Sequence, residues 1–418
     1  MRSAIVLGAG MAGVCAALHL RRRQWDVVVV DRLEPGRATS YGNAGIIQSE
    51  AAEPFAMPRD LASLLAIATG RSNDVHFHWA SLPRHAPALL RYWWNSAPAR
   101  HRVLAQGYAS LISNAIATHE ELMRGTNAAG LVRREGYRVF HRGAADMAQA
   151  IAEAERVRAT YGVPFKALDP RALAVAEPAL KDAGAGAIHW LAPWTVSNPG
   201  ALMAAYADLL AREGGRFVHG AADSLTPAAA GGWRVETADG PVEAEHAVVA
   251  LGPWSPELLR RFGYAVPMVR KRGYHRHYAG AALDLPLMDA DNGYVMAPMA
   301  DGLRITTGAE LTAPDAPLTP VQLTRAEAAA RGLLDFGAGV EAEPWTGVRP
   351  CMPDMLPLVG RAPRHPGLWL DFGHGHQGFT LGPATGLLLA QMMAGERPYV
   401  DPAPFRPERW CGAARAAA

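Results

Sequence analysis

Residues 3–32 read SAIVLGAGMAGVCAALHLRRRQWDVVVVDR, and this stretch decides the fold. An apolar run from Ala4 to Leu7 precedes Gly8-Ala9-Gly10-Met11-Ala12-Gly13. Apolar periodicity continues to Arg22, and Val27-Val28-Val29-Val30 leads into Asp31. Continuous β-branched runs suit parallel strands covered on both faces, so the pattern predicts strand, helix, strand. Gly8 permits a tight turn, Gly10 lets backbone approach a pyrophosphate, and Gly13 lets the helix pack closely on the first strand. The helix N-terminal amides then face the phosphates. Asp31 lies 18 residues beyond Gly13, where a carboxylate accepts both ribose hydroxyls of an adenosine and repels a 2′-phosphate, which disfavours NADP. Dinucleotide binding is expected, and the motif does not separate nicotinamide from flavin.

Outward from this unit, residues 34–58 are rich in Gly, Pro and Ser and read as loop. Residues 61–130 are helical in pattern with inserted aromatics (Trp79, Tyr92, Trp93, Trp94), 131–142 read as a strand or hairpin, and 146–161 as an amphipathic helix. A second α/β stretch has a helix over 199–212, short strands at 216–219 and 233–237, and an apolar run ending in Gly252-Pro253-Trp254. Strand-like segments return at 272–278, 293–297 and 303–308. A strand at 368–372, a Gly/His loop and a helix near 383–394, stopped by Gly395, close the chain. This order predicts an α/β fold with interleaved domains. A Rossmann-like dinucleotide-binding domain takes residues 1–60, 145–260 and 340–418, and a β-rich α+β substrate domain takes 61–144 and 261–339.

The 418 residues allow two to three folding units at roughly 150 per domain. With 19% charged and 50% hydrophobic residues the chain is globular in composition, and a net charge of +2 implies no polyanionic partner. Cys15, Cys351 and Cys411 are few, scattered and odd in number, which argues against a disulfide framework and suits a reducing, cytoplasmic setting. No cleavable leader is expected, because residues 3–7 already read as a buried strand. No long uninterrupted apolar window predicts a membrane span.

Three segments resemble the bacterial D-amino-acid dehydrogenases of the D-amino-acid oxidase and glycine oxidase superfamily. They are Ala38-Thr39-Ser40-Tyr41-Gly42-Asn43-Ala44-Gly45-Ile46-Ile47, Trp345-Thr346-Gly347-Val348-Arg349-Pro350 and Gly373-His374-Gly375-His376-Gln377-Gly378-Phe379-Thr380. The resemblance runs the length of the chain in the right order and implies FAD as cofactor. It implies that Gly8, Gly10, Met11, Ala12 and Gly13 serve the pyrophosphate, Asp31 the adenosine ribose with Arg32 beside it, and Ser40, Asn43, Ala44 and Gly45 the underside of the pyrophosphate and flavin. Gly252 and Trp254 would cover the adenine side, with backbone near Ala222 beside the adenine. Gly375, His376, Gln377, Gly378, Phe379 and Thr380 would meet the flavin, where free N–H groups at the start of the last helix stabilise charge on the reduced ring.

For substrate, the resemblance points to Arg349. A guanidinium gives a carboxylate two parallel hydrogen bonds and fixes its tilt. Tyr274, Tyr294, His374 and Gln377 are further candidate walls or contacts, and each has an ordinary packing role as the alternative. The implied reaction is oxidation of the CH–NH2 group of a D-amino acid by hydride transfer, giving an imino acid that hydrolyses to a 2-oxo acid and ammonia. No catalytic base is required when the amine is neutral and well oriented. Alternatives are an oxidase or dehydrogenase of a secondary or cyclic amino acid (sarcosine, glycine or proline type), a flavin-carrying subunit of a larger complex, or an NAD-dependent dehydrogenase.

The pairs His76/His78, His275/His277 and His374/His376 put both rings on one face of a strand, but none has a third ligand at a recognisable spacing, so no metal is expected. The basic run Arg270-Lys271-Arg272 lacks the broad basic face of a nucleic-acid binder and reads as a solvated strand edge. A peripheral contact of residues 75–94 with the inner face of the cell membrane, giving access to a quinone acceptor, is kept beside ordinary core packing.

Overall fold

A computed structural model describes residues 2–313 and 315–412. Its first sheet is built on β1 (Ser3–Leu7) and β2 (Asp26–Asp31), joined by helix α1 (Met11–Arg21). The strand order is Arg216–His219, β2, β1, His246–Val249, Leu368–Phe372, Leu358–Arg361. All neighbours are parallel except the last pair. Alternation along the strands explains the continuous apolar runs. Ala4, Val6, Val27, Val29 and Val248 enter one core, and Ile5, Leu7, Val28, Val30 and Val249 enter another on the opposite face.

Helix α1 lies in the first core against the last long helix, Gly378–Ala394. The contact is close because Gly386 faces α1: a Cβ there would stand 2.7 Å from the Ala16 nitrogen. Gly8 has φ +109°, and a Cβ on Gly13 would stand 1.9 Å from the Gly8 oxygen, so the expected roles of both glycines hold in the geometry.

The second sheet has ten strands. Its long strand Val269–Tyr278 pairs with Ala309–Leu311, with Gly302–Thr306 and, antiparallel over its whole front half, with Trp345–Cys351. That register sets Lys271 opposite Arg349, Gly273 opposite Gly347 and His275 opposite Trp345.

Several elements differ from the sequence reading. Phe165–Leu168 and Gly186–Trp190 fall inside the 145–260 segment assigned to the dinucleotide-binding domain, yet they pair with Tyr137–His141 in the second sheet. We propose that the second segment of that domain begins near Pro199. The stretch 131–142 is no hairpin, because Val132–Arg133 and Tyr137–His141 join different sheets. The 61–130 region holds, besides its helices, the strand Val75–Phe77.

The last helix starts at Gly378, with Pro383 inside it. Pro383 has no N–H for the Phe379 carbonyl, and the buried His119 Nε2 donates to that oxygen instead at 2.9 Å. Among the described residues no helix is long and apolar enough to cross a membrane.

Candidate functional site

A cavity of about 1210 Å³ runs from the C-terminal ends of the parallel strands to the second sheet. At one end it is lined by Asp31, Arg32, Ala222, Gly252 and Trp254, with the Arg32 guanidinium 5.3 Å from the Trp254 ring. Asp31 is already aligned: Oδ2 accepts the Ala9 N–H at 2.7 Å and Oδ1 the Leu33 N–H at 3.1 Å, and carboxylate oxygens each have a further lone pair for a ribose hydroxyl.

Gly8, Gly10, Met11, Ala12, Ser40, Asn43 and Ala44 line the middle. There the Ser40 hydroxyl accepts the Met11 N–H at 3.0 Å, tying the 38–45 loop to the start of α1. A Cβ at Gly10 would meet nothing nearer than the Ser40 Oγ at 3.4 Å, so the side left open by this glycine faces the cavity. This cradle, continuous with an adenosine-sized end and a wider second end, fits a bound dinucleotide.

At the second end stand His374, Gly375, His376, Gly378 and Phe379 from the last loop and helix, together with Tyr274, Tyr294 and Arg349. Four expected cofactor contacts do not line the cavity. Gly13 acts from behind through its contact with Gly8. Gly45 (φ +70°) donates its N–H to Asn43 Oδ1 at 2.8 Å and sets that loop. The Thr380 hydroxyl accepts the Gln48 N–H at 3.2 Å, and Gln377 donates to Gln48 Oε1 at 2.7 Å.

Gln48, unmarked in the sequence reading, is therefore the side chain this pair presents to the cavity. It also donates to Glu50 Oε1 at 2.7 Å, as does the Tyr137 hydroxyl at 2.8 Å. Burial pushes the Glu50 carboxyl up from its ordinary range, against these hydrogen bonds.

The Arg349 guanidinium lies over Gly273, where a Cβ would come within 2.6 Å of Nη1. It donates to the carbonyls of Gly308 at 2.7 Å and Thr307 at 2.9 Å. These bonds fix its plane and take two of a guanidinium's five N–H donors. Burial lowers its pKa from the usual arginine value.

Tyr274 is a wall and not a substrate hydrogen-bond donor, because its hydroxyl turns away to Glu310 Oε2 at 2.6 Å. Tyr294 is 1% exposed, and its hydroxyl, close to Asp289 and Arg142, has no well-formed hydrogen bond among the described residues. His374 points into the fold, with Nε2 2.9 Å from Thr385 Oγ1 and 3.3 Å from Asp371 Oδ1. His376 faces the cavity, and burial, then Arg349 and Lys271, lower its pKa to about 4, so the ring is neutral at physiological pH.

The fold supplies third ligand-type groups that spacing did not reveal: Glu310 beside His76/His78 and Glu341 beside His275/His277. Both clusters already contain a cation. Arg272 Nη1 is 3.5 Å from Glu310 Oε2, and Arg304 Nε donates to His277 Nε2 at 2.9 Å. We read both as closed structural networks, since an arginine stands where a metal would need room and negative charge.

Comparison with known proteins agrees with this geometry. The family model described as "DAO: FAD dependent oxidoreductase" matches residues 3–392. A D-amino acid dehydrogenase of Cereibacter sphaeroides is 31% identical, with 99% of this chain and 96% of that protein covered. A D-amino-acid oxidase of Bradyrhizobium diazoefficiens is 28% identical over 98% of this chain and 99% of its own length. Among solved structures, glycine oxidase from Geobacillus kaustophilus superposes with a TM-score of 0.71 at 22% identity, covering 97% of this chain and 98% of that one.

Proposed function

The chain belongs to the DAO family of FAD-dependent oxidoreductases, and we propose that it oxidises the CH–NH2 group of a D-amino acid. The observation that carries the reading is Arg349, held rigidly on the wall of the cavity that holds the glycine cradle and, among the described residues, without a carboxylate partner. The identity to a D-amino acid dehydrogenase over nearly the whole chain supports the D-configuration.

FAD, when bound, supplies the two-electron acceptor. Arg349 fixes the substrate carboxylate and so the direction in which the Cα–H points. Tyr294 and Trp345 line the cavity with aromatic rings that limit water around the reacting carbon. Neutral His376 adds no charge that would oppose the cation left on the substrate nitrogen. The neutral amine needs no protein base, and the imino acid released hydrolyses to a 2-oxo acid and ammonia.

We propose further that reducing equivalents leave to a quinone at a membrane surface. The helix Leu61–Ala68 is almost wholly apolar, yet none of its residues is buried, and in the segment that follows it in sequence Trp79, Leu90 and Trp94 are 72%, 67% and 54% exposed. In the same stretch of sequence Arg59, Arg71, Arg84, Arg91, Arg100 and Arg102 are exposed, while Asp60 and Asp74 are the only acids between residues 54 and 119. Apolar residues with interfacial tryptophans and excess arginine match an anionic lipid surface.

The test is anaerobic mixing of the purified yellow protein with D- and L-amino acids, sarcosine and proline. The expected result is bleaching by D-amino acids, followed by faster reoxidation by a quinone in phosphatidylglycerol vesicles than by air. Bleaching by secondary amines alone moves the substrate class. No bleaching by any amine leaves a flavin-carrying subunit.

A further inference from the structure

Lys271 was read from the sequence as part of a solvated basic strand edge. In the structure it lines the cavity, directly across the strand pair from Arg349. Residues opposite one another in an antiparallel pair project from the same face with Cβ atoms about 5 Å apart. Both cations therefore belong to one wall of the cavity, the Arg349 guanidinium over Gly273 and the Lys271 ammonium against the Tyr92 ring. A cation drawn out of bulk water is stabilised by an anion beside it.

The protein does not supply that anion. Among the described residues neither Lys271 nor Arg349 has a carboxylate within ion-pair distance. The Lys271 ammonium lies 4.8 Å from the centre of the Tyr92 ring, and Arg349 bonds only to main-chain carbonyls. Of the acids that line the same cavity, Glu53 pairs with Arg156, Glu257 with Arg270 and Glu236 with Arg234, Asp74 accepts from the Ser72 hydroxyl, and the buried Asp371 stands 3.3 Å from His374 Nε2 with no hydrogen bond among the described residues. The third group facing this pair is His376, which feels both cations and is neutral. Arg349 alone would satisfy one carboxylate, so Lys271 is a positive charge in excess of what a neutral amino acid requires.

We propose that the substrate carries two carboxylates, an acidic amino acid whose α-carboxylate is held by Arg349 and whose side-chain carboxylate is held by Lys271. This rests on the amino-acid oxidation proposed above and narrows it to a substrate class. Lys271 is a specificity residue. Its ammonium is a mobile point charge on a flexible stem, suited to a side-chain carboxylate at variable reach, whereas the clamped fork of Arg349 suits the carboxylate next to the reacting carbon.

The test compares D-glutamate with its neutral isostere D-glutamine in the holoenzyme and in Lys271→Met. It also compares glutarate with butyrate as binding probes, followed by the shift of the flavin absorption band without turnover. The wild type should prefer D-glutamate over D-glutamine in kcat/KM, and glutarate over butyrate in affinity, by roughly 10- to 150-fold, the value of one charge-assisted contact. In Lys271→Met both ratios should fall towards one. Equal handling of D-glutamate and D-glutamine by the wild type, or ratios that survive in Lys271→Met, would overturn the inference.

The two failures separate cleanly. Neutral D-amino acids that bleach the flavin while glutarate binds no better than butyrate sink the dicarboxylate class and leave the oxidation reading intact. Preference for glutarate with no bleaching by any amino acid sinks the oxidation and leaves a dianion site.

Discussion

Replacing Gly13 by alanine tests whether close packing of α1 on β1 creates the dinucleotide cradle. The added Cβ would stand 1.9 Å from the Gly8 oxygen and 3.0 Å from its carbonyl carbon, roughly 1.5 Å short of ordinary contact with the oxygen. Neither partner is a flexible side chain that can swing aside. Gly8 is itself fixed, since a Cβ there would lie 2.5 Å from the Ala250 oxygen and its N–H bonds the Val30 carbonyl at 2.9 Å. The helix must therefore retreat from the sheet.

Overpacking of this kind costs about 1–3 kcal/mol. The same retreat carries the Ala12 amide at the start of α1 out of hydrogen-bonding range of a phosphate, and that charge-assisted bond lost weakens cofactor affinity by roughly 10- to 150-fold. The assay is the flavin-to-protein absorbance ratio after gel filtration, with the melting temperature measured with and without added FAD. Gly13→Ala should elute largely colourless and gain more than the wild type from added FAD. A variant that keeps full flavin with an unchanged melting temperature would refute the reasoning.

Arg349→Lys should lower kcat/KM by roughly 10- to 150-fold, mainly through KM, because an ammonium cannot serve the Gly308 and Thr307 carbonyls and still present a planar fork. Steady-state kinetics at matched flavin content checks this, and kinetics within threefold of wild type would remove Arg349 from the substrate site. Stability should fall as pH drops below about 6.5, because burial lowers the pKa of His19 to about 3, His119 to about 4 and His275 to about 2. Between those values and the ordinary histidine value the unfolded chain binds more protons than the folded one. Stability then rises with pH through that window, by up to about 1.4 kcal/mol per pH unit for each group, and is lost towards acid. Melting temperatures from pH 7.5 to 4.5 measure it, and a flat profile would contradict the burial of these rings.

The cofactor half of the molecule was legible because its signals are local. The 3–32 unit writes strand, turn, helix and strand in one run, and the tight contact of Gly13 on the Gly8 oxygen lies within it. Arg349 was legible only through the resemblance of its loop. What stayed hidden depends on register between distant segments. Lys271 reads as one of three consecutive basic residues, and only its pairing with a strand some 80 residues later shows that it shares a face with Arg349 while Arg270 and Arg272 do not. Glu310 and Glu341 meet their histidine pairs through strand pairing and loop return, not through spacing. The last helix was started too late because Pro383 resembles a first-turn proline. Nothing near it in sequence indicates that His119 would serve the carbonyl Pro383 leaves free.

The paired strands Val269–Tyr278 and Trp345–Cys351 also explain the shape of the substrate end. Alternate residues on both face the cavity side, giving a cation, a glycine and an aromatic ring in the same order: Lys271, Gly273 and His275 beside Arg349, Gly347 and Trp345. Trp345 closes one end as a rigid wall, backed by the His275 ring stacked on it at 4.7 Å, and the two cations define the other. Between them the glycines leave room for neighbouring side chains to lie across the sheet. A Cβ on Gly347 would meet the Trp345 ring at 2.2 Å, and one on Gly273 would meet the Arg349 guanidinium at 2.6 Å. The positions that carry charge and the positions that carry no side chain are therefore parts of one device. Glycine lets Arg349 lie flat across the sheet with its plane fixed by two carbonyls, and only a flat, immobile guanidinium can set the tilt of a carboxylate well enough to aim the neighbouring C–H. In a chain with a net charge of +2 no global field draws in an acidic substrate, so selection must come from this wall.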